Sequence, residues 1–113
     1  MILEPVKEGH LLVLPKRHVE KLADLKPEES QAILNLLDRL IVTIKEIYKE
    51  DSIIAMNTGK FCSQKHLHFH ILPSKGGVRH LFRKYENTPF KKEISIQELD
   101  RISDKFKKKL KIK

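Results

Sequence analysis

A chain of 113 residues has room for a single core, which excludes an enzyme built from separate cofactor and substrate halves. Forty per cent apolar residues with only 4 Gly and 5 Pro exclude a low-complexity chain, and the single cysteine, Cys62, excludes an intramolecular disulfide framework or a Cys-rich metal site. The charge of +8, from 23 Lys and Arg against 15 Asp and Glu, raises a nucleic-acid reading that depends on where those charges lie.

Met1-Ile2-Leu3-Glu4-Pro5 leaves so little chain ahead of the first strand that either the protein is very compact or an N-terminal piece is missing. Gly9 punctuates a turn. The run His10-Leu11-Leu12-Val13-Leu14, ended by Pro15, predicts a strand buried on both faces, followed by the polar loop Lys16-Arg17-His18. Pro27, Glu28 and Glu29 suit a helix start, because proline loses nothing in the first turn and acids favour the positive pole of the dipole. Ile33, Leu34, Leu37, Leu40, Ile41, Ile44, Ile47 and Tyr48 then recur at helical spacing and place a long amphipathic helix at 27–49, its stripe a core or dimer face.

Ser52-Ile53-Ile54-Ala55-Met56 is β-prone and runs into the turn Asn57-Thr58-Gly59. His66-Leu67-His68-Phe69-His70-Ile71-Leu72 predicts the next strand, stopped by Pro73, and the link between the two is too short for a helical crossover, so they pair antiparallel. Gly76-Gly77 and Asn87-Thr88-Pro89 mark irregular chain. Ser95 with Glu98 forms a capping box, and Leu99, Ile102, Phe106 and Leu110 place a final helix at 95–110. The fold class is α+β, an antiparallel sheet with one long helix packed on it and a C-terminal helix. Residues 1–113 form one domain with a core at about 2–74 and an extension at about 75–113.

Six of the positive charges are Lys105, Lys107, Lys108, Lys109, Lys111 and Lys113, while the first 104 residues carry 17 basic and 15 acidic side chains, a charge of +2. The body is nearly neutral, and nucleic acid is not the favoured partner. No apolar run approaches 18 residues and no charged-then-apolar leader opens the chain, so a soluble, cytoplasmic protein without membrane contact is expected.

The chemistry concentrates at His66, His68 and His70, which at i, i+2 and i+4 of a strand share one face at intervals of about 6.6–7 Å, with Leu67, Phe69 and Ile71 on the other. A solvated polar face is the plainest reading. It leaves unexplained why three of 6 histidines occupy one strand face. A metal site is a second reading, with His18 or His10 as a further ligand, but three such strand positions span too far to converge readily on one tetrahedral ion. The third is covalent catalysis by a neutral imidazole on phosphorus or carbonyl carbon. Asn57, Thr58, Ser63, Gln64 and Lys65 nearby are donors suited to phosphate oxygens, which favours phosphoryl or nucleotidyl transfer.

His66 to Leu72 resembles the His-φ-His-φ-His-φ-φ signature of the histidine triad family, φ being apolar. Gly9-His10-Leu11-Leu12-Val13-Leu14-Pro15-Lys16-Arg17-His18 is similar to that family's Gly-His-x-Leu-Val-x-Pro-Lys-x-His segment, and Asn57 ends the preceding strand as in the family. The likeness spans residues 5–73.

The resemblance implies a nucleotide phosphoramidase or dinucleoside polyphosphate hydrolase acting at the α-phosphate. His68 would be the nucleophile that carries a nucleotidyl group until water removes it, its Nδ1–H held by an acceptor so that Nε2 is free. His70 would donate to phosphate oxygen, His66 and His18 would orient the network, and Asn57, Ser63 and Gln64 would contact nucleotide. No cofactor or metal is implied, and a homodimer is. Histidine rather than glutamine at position 70 favours hydrolysis over transfer to a sugar phosphate. Three features depart from the family: Ile2 replaces the usual Asp or Asn that grips ribose, the strand-and-helix segment that usually precedes it and walls the base pocket is missing, and Phe61-Cys62-Ser63 replaces Gly-Gln-Ser/Thr. The basic tail keeps an enzyme of nucleic-acid ends, resembling aprataxin or the scavenger decapping enzymes, as an alternative. Ile2 and the abbreviated N-terminus keep a catalytically weak nucleotide-binding or interaction module as another. His10 and His80 are expected as turn or surface residues, and Cys62 as incidental.

Overall fold

A computed structural model describes residues 6–59, 65–85 and 94–111. In chain order these form β1 (Leu11–Val13), a 3-10 turn (Leu22–Asp24), α1 (Pro27–Tyr48), β2 (Asp51–Ala55), β3 (Phe69–Ser74), α2 (Gly77–Tyr85) and α3 (Ile96–Leu110). The chain divides into two compact units, residues 1–80 and 81–113. All six histidines belong to the first.

The sheet of the first unit has the order β1-β3-β2, with β3 antiparallel to both neighbours. Leu12 and Ala55 flank His70 in register, while Leu11 and Ile54 flank Ile71, so alternation puts His70 on one face and Ile71 on the other. The Ile71 face meets α1, which packs on all three strands. Val13, Ile33, Leu37, Ile44 and Ile71 form the buried core, joined by Leu25, Leu40, Tyr48 and Phe69. α1 therefore fixes the back of the sheet and leaves the histidine face to chemistry.

α1 begins at the expected Pro27, where the Lys26 N–H donates to Glu29 Oε1 at 2.8 Å, and closes through Lys49 in the left-handed region at φ 59°. α3 begins as expected too, its Ser95 Oγ accepting from the Glu98 N–H at 3.1 Å.

Four expectations are corrected. β3 starts at Phe69 rather than His66, so His66 and His68 lie in the approach to the ladder and only His70 lies within it. It also runs through Pro73 instead of stopping there. Pro73 pairs with Ser52 on β2, beyond the end of β1, which reaches only as far as Leu11 opposite Ile71. β1 is not buried on both faces: it is an edge strand with Val13 inside and Leu11 39% exposed, and Leu14 just beyond it is 46% exposed. Finally, Gly77 opens a helix that was expected to be irregular chain. Gly77 takes φ 73° and its N–H reaches Ser74 Oγ at 3.0 Å, a turn that starts α2 directly after β3.

Candidate active site

Two tethers hold the approach to β3, because the ladder does not. The His66 Nε2–H donates to Pro15 O at 3.0 Å, and the Leu67 N–H donates to Val19 O at 2.6 Å. Leu67 and Val19 are both 2% exposed, so the second tether joins two buried residues. His68 Nδ1 then lies 2.9 Å from His66 O. A carbonyl only accepts, so Nδ1 carries the proton and the Nε2 lone pair of a neutral His68 is free. This meets the tautomer requirement that the sequence placed on a nucleophile at this position.

His10 is not the turn or surface residue expected: it is 5% exposed and stands inside the site. Gly9 brings it there, with φ 90° and so little space that an added Cβ would come within 2.8 Å of Pro73 Cγ and of the Tyr48 ring. The Val6 N–H donates to His10 Nδ1 at 3.0 Å, which leaves the proton of a neutral His10 on Nε2. That Nε2 lies 2.8 Å from His70 Nδ1, so His70 accepts there and carries its own proton on Nε2. A backbone amide thus turns His70 into a donor. Desolvation lowers the pKa of His10, and desolvation followed by the charges of His10 and His68 lowers that of His70, so both rings favour the neutral form on which this relay depends. The signal in the sequence was the Gly-His pair at the head of an apolar run.

The rings adjoin one another. His68 and His70 meet edge to face with centroids 5.1 Å apart, His10 and His70 are 5.0 Å apart, and His18 and His66 are 5.2 Å apart. His18 is the outermost, its side chain 66% exposed with Nε2 3.5 Å from Glu20 Oε1. Asn57 follows β2 and lines a cleft of about 380 Å³ with Glu20, Lys21, Thr58, Lys65 and Leu67. The structure therefore brings His66, His68, His70 and His18 together and sets Asn57 on an adjoining cleft. Ser63 and Gln64 lie outside the described residues, as do Ile2, Phe61 and Cys62. His80 is exposed on α2, as expected. Among the described residues, no group of three or more His, Cys, Asp or Glu is arranged to hold a metal ion.

The arrangement offers one unprotonated imidazole nitrogen beside one imidazole N–H donor. That pairing suits attack on an electrophile whose oxygen gains charge as the bond forms.

Comparison with known proteins agrees in family. A family model described as HIT domain matches residues 2–77. A protein of Schizosaccharomyces pombe named adenosine 5'-monophosphoramidase hnt1 is 30% identical over 111 residues, covering 96% of this chain and 78% of that protein. A protein of Dictyostelium discoideum named bis(5'-adenosyl)-triphosphatase is 38% identical over 76 residues, covering 65% of this chain. The chain spans 51% of that relative's length. Among solved structures, the NitFhit protein of C. elegans superposes with a TM-score of 0.61 at 32% identity over 67% of this chain and 19% of its own. A HIT family member from Bacillus subtilis does so with a TM-score of 0.61 at 23% identity over 90% of this chain and 73% of its own, a likeness of fold.

Proposed function

The chain belongs to the HIT domain family, and on that premise we propose that it is a nucleotide hydrolase acting at the α-phosphate of a purine nucleotide conjugate, either a phosphoramidate or a dinucleoside polyphosphate. The relatives named adenosine 5'-monophosphoramidase and bis(5'-adenosyl)-triphosphatase support both substrate classes. The observation that carries the mechanism is the His68 Nδ1–H bond to His66 O, which leaves Nε2 as a nucleophile at neutral pH.

His68 Nε2 attacks the α-phosphorus, a P–N bond forms, and the bond to the leaving group breaks. The leaving group departs with the electron pair and takes up a proton from the site or solvent. Water then attacks the same phosphorus, the P–N bond breaks, and AMP or GMP leaves with His68 restored. The His70 Nε2–H, aligned by His10, donates to a phosphate oxygen through both steps, where a fixed donor acts on charge as it develops. His66 supplies the acceptor for His68 and is itself held by Pro15, while His18 stands at the outer edge of the string. Asn57, with Ser63 and Gln64, contributes contacts to the nucleotide. No metal or other cofactor is assigned a part.

We infer further that the chain works as a cytoplasmic homodimer. α1 carries Leu34, Val42 and Ile47, 61%, 54% and 64% exposed, more apolar surface than one copy covers. Sedimentation should give twice the chain mass, and a single-copy mass at micromolar concentration removes this part of the reading.

Incubation with an adenosine phosphoramidate and with diadenosine triphosphate should release AMP. His68→Ala should reduce that release roughly a thousand-fold or more while nucleotide still binds. Undiminished turnover in this variant would sink the mechanism.

A further inference from the structure

Arg17 occupies a position that the sequence signature leaves open, yet its guanidinium makes three hydrogen bonds. Nε donates to Glu29 Oε2 at 3.1 Å, Nη2 to Glu29 Oε1 at 2.7 Å and Nη2 also to Asp24 O at 2.8 Å. Glu29 belongs to the first turn of α1, and its Oε1 also accepts the Lys26 N–H. One side chain therefore joins the loop after β1, the end of the 3-10 turn and the start of the longest helix.

The flanking residues of that loop hold the approach to β3. Pro15 O takes the His66 ring proton and Val19 O takes the Leu67 amide. Since His66 and His68 lie outside the ladder, residues 15–19 set their position in place of a neighbouring strand. Arg17 lies midway between the two tether points. We propose that the Arg17–Glu29 fork is a positioning pair for the site: it fixes residues 15–19 against α1 and thereby places His66 and, through His66 O, the His68 ring. Neither residue touches substrate.

The inference rests on the hydrolase reading for its kinetic arm only. An exposed ion pair ordinarily adds little to stability, and the Arg17 side chain is 44% exposed. A merely structural pair would therefore leave turnover alone. A positioning pair changes it, because a displacement of about 1 Å at a reacting group costs on the order of a hundred-fold in rate.

The test uses the full chain with Arg17→Met, Glu29→Ala and the double variant. Arg17→Met leaves the Glu29 bond to the Lys26 N–H in place, so it separates the fork from the helix cap. Expected are a kcat lowered roughly ten- to a hundred-fold with KM within about twofold, a Tm lowered by no more than a few degrees, and a loss in the double variant no larger than in Arg17→Met. In the same variants, NMR should show faster solvent exchange of the His66 Nε2–H and the Leu67 amide, with unchanged exchange for the β2–β3 ladder. Unchanged kcat in Arg17→Met, losses that multiply in the double variant, or unaltered exchange at His66 and Leu67 would each overturn the proposal. Absence of AMP release in the parent protein would overturn the hydrolase reading instead, and the exchange measurement would still decide the fork.

Discussion

The proton on His70 is placed by a chain of contacts that begins at the Val6 amide and passes through a buried imidazole. Each link is a hydrogen bond between groups with one remaining role, so the tautomers follow from the partners. Burial then keeps both rings neutral. Ring resonances of His10 and His70 should titrate with midpoints below the ordinary 6.5, and midpoints at or above it would contradict the relay. The sign for stability follows. The unfolded rings take up protons near 6.5 while the folded ones resist, so stability is full above 6.5 and falls as pH drops below it. Glu29 has the same sign at lower pH. The Arg17 hydrogen bond holds its carboxyl down at about 2, so the fork survives at neutral pH and its contribution is lost as pH falls from 4.5 toward 2. His10 also marks what single-residue reasoning misses: the Gly-His pair is local, but the partner that gives it a role, His70, is 60 positions away.

Helices were legible because their signals are local. Pro27 with two following acids, and Ser95 with Glu98, mark starts within one turn, and the apolar stripe of α1 repeats along its own length. α2 carries the same kind of signal in Val78, Leu81 and Phe82, masked by the paired glycines before them. Strand limits depend on neighbours instead. β3 runs through Pro73 because it pairs there with Ser52 on β2, and His66 outside the ladder is held by a carbonyl 51 residues away. Gly9 joins these elements, because its backbone sits where Pro73 at the end of β3 and Tyr48 at the end of α1 leave no space. Gly9→Ala should destabilise the first unit by about 1–3 kcal/mol, from left-handed strain together with the clash, and should displace His10. Denaturant midpoints measure the first effect and the His10 titration the second. A variant with parental stability and an unchanged His10 midpoint contradicts this placement of β1.

At the scale of the molecule, the charge of +8 separates into a nearly neutral body and a lysine-rich end. Lys105, Lys107, Lys108, Lys109 and Lys111 belong to the second unit, on and just after α3, whereas every histidine belongs to the first. In the proposed mechanism the phosphate is met by the His70 ring N–H of the first unit, and the triad spacing made that residue visible in the sequence. Nucleotide contacts expected from Ser63 and Gln64 stay with the proposal, since those residues lie outside the described structure. The account rests on one event, the bond between His68 Nε2 and phosphorus. Rapid quenching at alkaline pH, where an N-linked nucleotidyl group survives, followed by mass spectrometry of the peptides, tests it most directly. The account predicts an added nucleoside monophosphate on His68 during turnover, absent in His68→Ala. Turnover that proceeds at full rate with His68 unmodified throughout would contradict it.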